Sequence, residues 1–434
     1  MKARTILIII FTIIGRVALG QTTQGHYEGA LTRDGSVQLI SINFDNDKVT
    51  YDIPEIGYYD VASEKLFWSK DTLNLKIYYG SFYCFVDKNT GDVTGISKKW
   101  DPKIRLHLKH TDEKIKQFAE EEIQFSNSSV SLSGVLFKPF LTGKVVPYVI
   151  LIHGSDYQDR NTPYYHSLGY SLATKGIGVL LYDKRGCGKS TGKWETSDFS
   201  DFANDAVSAL QYLKNRKDLN ISKIGFLGTS QGGWIAPIAA NQTTDCAFVI
   251  LNVGPSVSVF EQDLNRVQYS MTEDGLEKAT IDSAIDYSKL YFKYVQTNNL
   301  KDWKSLEKFG SSIKDKSWVE YVNLPKNQND EDINWWRKND FNPSQNLKNI
   351  KCKVLSIFGG KDILVPPQEN KSKMDSLLKL SGVKYKIINI NNCGHDMLSY
   401  AGLNGDNWNW PVVYWKWRKQ PIEFIDSIVD WIKN

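Results

Sequence analysis

From about residue 25 to 110, apolar and polar positions alternate in short runs. "VTYDI", "KLFWS", "LNLKIYYG", "SFYCFVD" and "RLHLKH" are punctuated by "RDG", "DND", "SKD" and "NTGDVTG". Alternation puts every second side chain on one face of a strand, and the Gly, Asp and Asn clusters supply turns. The pattern predicts an antiparallel all-β meander or small barrel. From about residue 120 the texture changes. "VVPYVILIHG", "IGVLLYDKRG", "KIGFLGTS", "CAFVILNVG" and "CKVLSIFGG" are apolar, β-branched runs that end in glycine or polar residues. Such runs suit strands covered on both faces, as in a parallel sheet.

Helical patterns lie between those runs. In "DFANDAVSALQYLKN" the apolar positions Phe202, Ala206, Leu210 and Leu213 fall on one stripe. "PIEFIDSIVDWIKN" repeats the arrangement, with its proline expected in the first turn. Strand–helix alternation with buried strands predicts an α/β fold, a mostly parallel sheet flanked by helices. Its ligands belong at the carboxyl ends of the strands. Residues 256 to about 345 separate two strands by more than one crossover helix requires, and are polar and partly helical ("EKATIDSAIDYSKLYFKYVQ"). A cap over a site is expected there. The chain thus reads as an N-terminal β domain over 21–115 and an α/β domain over 116–434 with a cap at about 256–345.

Composition narrows the partners. The 434 residues are 41% hydrophobic and 24% charged, with a net charge of +4. That is ordinary globular composition, and neither nucleic acid nor an anionic membrane is an expected partner. Residues 1–20 stand apart. Lys2 and Arg4 precede "TILIIIFTII", and "ALG" places small residues before Gln21. A basic start, a short apolar run and a small-residue cut are the layout of a secretory signal peptide, so export to the periplasm or beyond is expected, without stable membrane insertion. The five cysteines, Cys84, Cys187, Cys246, Cys352 and Cys393, lack paired spacing and read mostly as small buried hydrophobes. Oligomeric state is not legible.

The chemistry centres on "FLGTSQGGW", where Gly228-Thr229-Ser230-Gln231-Gly232 fits G-x-S-x-G between an apolar strand and a helix. A strand, a sharp turn and a helix make a nucleophile elbow, in which flanking glycines avoid clashes and the helix N-terminus favours negative charge. A serine at its own pKa needs a base. Of six histidines, His26, His107 and His110 lie in the β half, His153 closes a strand in "LIHGSD", and His166 reads as a surface residue after "DRNTPYY". That leaves His395 in "NCGHDM". Asp362 in "IFGGKDILVPP" is the expected acid, with Asp396 as its competitor. The oxyanion requires two N–H donors, each worth about 3 kcal/mol of barrier when preorganised. Gln231 and Ser155 are the expected backbone donors.

"LIHGSDYQDRN", "LLYDKRGCGKSTG", "GFLGTSQGG", "FGGKDILVPP" and "CGHD" together resemble the α/β-hydrolase superfamily, in its bacterial serine esterase branch near serine aminopeptidases and prolyl-oligopeptidase-like hydrolases. The resemblance covers roughly residues 120–434. It implies a triad of Ser230, Asp362 and His395, an oxyanion hole from Ser155 and Gln231, no metal and no organic cofactor. The N-terminal part, with "GHYEGAL" and "GDVTGISKKW", is similar to lipocalin-like barrels. One departure is Asp156 in "HGSD", where relatives often carry glycine. A carboxylate there would oppose an oxyanion unless it points away or is paired, with Arg160 as a candidate partner.

"GCGKST" is a turn rather than a phosphate loop, because Asp183 stands where the Walker pattern requires glycine. Cys393 and His395 lack a second pair at zinc-ligand spacing. Trp335 and Trp336 in the cap, and Trp408 and Trp410 in the aromatic run "DNWNWPVVYWKW" with Trp415 and Trp417, are candidate walls of a substrate pocket. "NDED" (329–332) could hold a substrate amine. The expected activity is a carboxylic ester hydrolase acting on a small-molecule ester or acyl substrate. An aminopeptidase with the same triad is the alternative enzyme. A non-catalytic binding protein working through its β domain is the alternative of another class.

Overall fold

The computed structural model describes residues 23–400 and 417–434, apart from positions 34, 46–47, 64–65, 70–71, 100–102, 112–115 and 141–142. The first 22 residues, and with them the expected signal peptide, lie outside the described residues, as do Trp408, Trp410 and Trp415.

The alternating N-terminal runs form strands β1 (Gly25–Arg33), β2 (Ser36–Asp45), β3 (Lys48–Ile53), β4 (Tyr58–Ala62), β5 (Leu66–Ser69), β6 (Thr72–Ile77), β7 (Gly80–Val86), β8 (Val93–Ser97) and β9 (Arg105–Thr111). They build one nine-stranded antiparallel sheet in the order β4-β3-β2-β1-β9-β8-β7-β6-β5, with β1 joining the two meanders through β9. Period-two burial is clean in β2, where Gln38, Ile40, Ile42 and Phe44 point inward while Val37 and Leu39 are exposed.

The second sheet has eight strands: β10 (Phe118–Asn127), β11 (Val130–Pro139), β12 (Val146–Ile152), β13 (Gly178–Tyr182), β14 (Ile221–Thr229), β15 (Cys246–Asn252), β16 (Lys353–Gly359) and β17 (Tyr385–Ile390). Their order is β10-β11-β13-β12-β14-β15-β16-β17. Pairings from β13 through β17 are parallel, as the continuous apolar runs predicted. The edge hairpin β10–β11 is antiparallel and was not anticipated. Along β12 the side chains sort alternately. Ile150 and Ile152 enter one core, and Val149 and Leu151 enter the other.

Helices α1 (Pro163–Thr174), α2 (Phe199–Asn215) and α3 (Gly232–Asn241) follow β12, β13 and β14. Then α4 (Val259–Glu273), α5 (Lys278–Thr297), α6 (Leu300–Ile313), α7 (Glu331–Lys338) and α8 (Ser344–Asn349) fill the long interval between β15 and β16, with α9 (Pro367–Ser381) and α10 (Ile422–Lys433) beyond. One face of the sheet packs against α1 and α10, the other against α2, α3, α9 and the inserted helices. The stripe Phe202, Ala206, Leu210 and Leu213 is buried as predicted. Asp198 starts α2 with a reciprocal capping box to Asp201. Pro421 caps α10 rather than occupying its first turn.

The two sheets are tied more closely than their separate textures suggested. Tyr59 of β4 stacks on Tyr170 of α1 with centroids 5.1 Å apart, and its amide donates to Ser167 Oγ at 3.1 Å. Trp417 and Leu398 belong to the core of the N-terminal sheet, and Trp417 Nε1 donates to Ser36 Oγ at 2.5 Å. His166 is a correction to the surface reading. Its ring is largely buried at this junction, with Nε2 3.8 Å from Asp60 Oδ2. Lys116 Nζ lies 2.7 Å from both Asp60 and Glu120, so an ammonium already holds the carboxylates that gather around His166.

Candidate active site

Strand order changes direction beside β12, whose parallel neighbours β13 and β14 lie on opposite sides. Open α/β sheets bind ligands at the carboxyl ends of strands at such a switch point. Two loops meet there, the one after β12 carrying Ser155 and the one after β14 carrying Ser230.

Ser230 has φ 55°, a left-handed conformation costing on the order of 1–2 kcal/mol for a side chain with a Cβ. Neighbouring bonds impose it. The Ser230 amide donates to Asn252 O at 3.0 Å, and Gly233 N donates to Ser230 O at 2.7 Å. The flanking glycines are sterically required. A Cβ on Gly228 would sit 2.0 Å from Gly232 O, and one on Gly232 would sit 2.4 Å from Ile152 O. Ser230 therefore stands partly exposed at the head of α3, as the elbow pattern predicted.

The β12 loop closes on it. A Cβ on Gly154 would lie 3.4 Å from Ser230 Cβ, so the loop residue just before Ser155 abuts the serine. Gly154 N donates to the Tyr165 hydroxyl at 2.6 Å, fixing the His153–Gly154 peptide one residue before the Ser155 amide. Gln231 is buried at the N-terminus of α3, where free amides gather.

Asp362 and His395 are brought together. His395 Nδ1 lies 2.8 Å from Asp362 Oδ2, and that carboxylate is buried while the ring is about a quarter exposed. The other oxygen, Oδ1, accepts the amides of Leu364 at 2.8 Å and Val365 at 2.9 Å, so the carboxylate cannot rotate freely. Bonds from Gly360 N to Ile390 O and from Lys361 N to Cys393 O, both 2.8 Å, lock the acid loop to the histidine loop. Asp396, the competing acid, instead accepts Arg418 Nη1 at 2.8 Å and Leu398 N at 3.1 Å. Ser230 follows β14 and Asp362 follows β16, two strands away, a spacing of roughly 10 Å that loops at strand ends can cross.

His153 is fully buried between the rings of Tyr165 and Tyr182, and neither ring nitrogen has a partner among the described residues. Burial, aided by the nearby Lys184 charge, pushes its pKa down to about 3. It is a neutral packing residue.

Arg160 does not meet Asp156. It forms a two-pronged pair with buried Asp183, Nε to Oδ1 and Nη2 to Oδ2, each 3.0 Å, and also binds Glu122 and the Gly134 carbonyl. A buried carboxylate with two matched acceptors outcompetes an exposed one for a guanidinium. The cation near Asp156 is Lys184, whose Nζ binds the Asp156 carbonyl at 3.2 Å. Sequence reasoning passed over Lys184. Its partners lie 28 to 47 positions away, so no local pattern advertises them. "GCGKST" is a turn packed on the same acid, with Lys189 N donating to Asp183 Oδ2 at 2.8 Å.

Trp335 and Trp336 sit in an aromatic cluster. Trp336 meets Phe292 edge-on at 5.0 Å, and Trp335 meets Phe199, which stacks on Trp234 of α3 at 5.5 Å. Within "NDED", Asp330 caps α7, accepting the amides of Asp332 and Lys326. Cys246 and Cys352, without sequence pairing, approach to 3.9 Å between sulfurs as free thiols.

Residues 147–400 match the family described as alpha/beta hydrolase fold. The chain is 23% identical over 291 residues to esterase EstD of Thermotoga maritima, an alignment covering 66% of this chain and 62% of that protein. It is 28% identical over 216 residues to a proline iminopeptidase of Clostridium botulinum, covering 48% of this chain and 68% of that one. Among solved structures, the Pyrococcus furiosus esterase Pf2001 aligns with a TM-score of 0.42 at 18% identity, covering 63% of this chain and 83% of that one. No helix among the described residues is long and apolar enough to cross a membrane.

Proposed function

We propose, because this chain belongs to the alpha/beta hydrolase fold family, that it is an exported serine hydrolase cleaving carboxylic esters. The observation that carries the reading is the 2.8 Å bond between His395 Nδ1 and Asp362 Oδ2, on the sheet whose β14 presents Ser230 in an elbow. With Nδ1–H donating to the carboxylate, Nε2 keeps its lone pair and serves as the base. His395 removes the Ser230 proton, and Ser230 Oγ attacks the carbonyl. The oxyanion then faces the amides of Ser155 and Gln231. His395 returns the proton to the leaving alcohol, then activates the water that releases the acyl group. The inserted helices α4–α8 serve as a cap, with Trp335 and Trp336 toward the substrate side. Export rests on residues 1–20.

The aminopeptidase reading has support in the name of the Clostridium relative. Against it, Asp330 of the acidic run is spent on capping α7. Steady-state hydrolysis of p-nitrophenyl acetate and butyrate, beside proline and alanine nitroanilides, divides the readings. The proposal expects ester turnover that Ser230→Ala abolishes and little amide turnover. Amide turnover dominating would favour the peptidase, and equal rates for wild type and Ser230→Ala would remove the nucleophile.

A further inference from the structure

Behind the two expected oxyanion donors lies a buried cation that forms no ion pair among the described residues. Lys184, two residues past the end of β13, is 3% exposed. Its Nζ donates to Gly154 O at 2.9 Å, Asp156 O at 3.2 Å and Gln231 Oε1 at 3.2 Å. The faces of Phe202 and Trp194 complete the cage, with centroids 4.7 Å and 5.6 Å from the ammonium. Among the described residues no carboxylate comes within ion-pair distance of it. The neighbouring acids are occupied elsewhere, Asp183 by Arg160 and Asp205 by Arg185.

A buried charge without an ion pair is costly to a fold, and a leucine or methionine would fill the same space more cheaply. Its three oxygens are not scattered. Gly154 O and Asp156 O bracket the Ser155 peptide, and Gln231 is the residue of the other donor. One ammonium therefore ties the β12 loop to the head of α3.

We propose that Lys184 is the positioning residue of the oxyanion hole, holding the Ser155 and Gln231 amides in register across the switch point and lending positive charge behind them. This rests on the reading of Ser230 as nucleophile. It also accounts for Asp156, tolerated because its exposed carboxylate is opposed by this ammonium. Burial lowers the Lys184 pKa to about 8, against the opposing pull of Cys187 and Asp156. His153, just after β12, and Arg185 beside the lysine in sequence are the other ionisable groups close by. The ammonium is thus charged at neutral pH and lost in mild alkali.

The test uses the full-length protein with Lys184→Met, which preserves bulk, and Lys184→Gln, which preserves a donor without charge. Melting curves establish folding. Kinetics on p-nitrophenyl butyrate are read beside the affinity for an alkyl trifluoromethyl ketone, which forms a tetrahedral adduct, and for butyrate. The expected result in Lys184→Met is a fall in kcat of about 100-fold with KM within threefold, as for loss of hole donors. Ketone affinity falls in parallel, and butyrate affinity stays. In wild type, kcat declines above pH 8, and Asp156→Asn moves that decline to lower pH. A folded Lys184→Met with kcat within threefold of wild type overturns the inference, as does a kcat flat to pH 9.5 in wild type. Absent ester turnover in wild type would instead indict the proposed function. Turnover lost in Ser230→Ala but untouched in Lys184→Met would indict the lysine alone.

Discussion

Asp362 and His395 form a fixed pair: one carboxylate oxygen accepts two backbone amides, and the other faces Nδ1 of the imidazole at 2.8 Å. The carboxylate therefore both orients the ring and selects its tautomer. In Asp362→Asn the side chain keeps its amide bonds through Oδ1 but presents NH₂ to Nδ1. The ring then carries its proton on Nε2, where the base is needed. The expected loss is about 10⁴-fold in kcat with little change in KM or melting temperature, read by steady-state ester hydrolysis.

The elbow depends on two glycines in mutual contact. Gly228→Ala places a methyl 2.0 Å from Gly232 O, which is backbone and cannot swing aside. We expect destabilisation of about 1–3 kcal/mol, measured by urea unfolding, together with loss of ester turnover as Ser230 is displaced.

His153 makes stability depend on pH. Its folded pKa is about 3, against about 6.5 in an unfolded chain. Below pH 6.5 the unfolded state takes up a proton that the folded state refuses, so stability drains progressively from pH 6.5 toward pH 3. His153→Phe removes that proton uptake. Its unfolding free energy should fall less steeply over this window than that of wild type in urea titrations between pH 7 and pH 4.

Trp417 closes the core of the N-terminal sheet from the far end of the chain, edge-on to Tyr79 at 5.0 Å and bonded to Ser36. Trp417→Ala should cost about 3–5 kcal/mol and expose the β1–β9 sheet to limited proteolysis before the α/β sheet is cut. Equal proteolytic rates for the two sheets would contradict the tie.

The legible parts of this molecule are those whose cause is local. The elbow around Ser230 is written in consecutive residues, because the strand run, the glycines and the helix are all needed within a few positions. The buried strands β12–β16 follow from continuous apolar runs, and the stripe of α2 from its helical periodicity. What escaped depends on distant partners. The hairpin β10–β11 is an antiparallel pair attached to an otherwise parallel sheet, and its edge strand β10 alternates like the N-terminal strands rather than like its neighbours. Arg160 is a candidate partner for Asp156 by proximity in sequence, but the fold offers it Asp183, which is buried and geometrically matched. His166 and Lys184 acquire their roles only when β4, β12 and α3 are assembled around them.

The central claim is that Ser230 is the attacking atom's residue, and active-site labelling addresses it most directly. Wild-type protein is treated with a fluorophosphonate, and the adduct is located by peptide mass spectrometry. The account predicts one stoichiometric adduct on the peptide containing Ser230, absent from Ser230→Ala and greatly slowed in His395→Ala. An unlabelled folded protein, or an adduct on another residue that persists in Ser230→Ala, would contradict it.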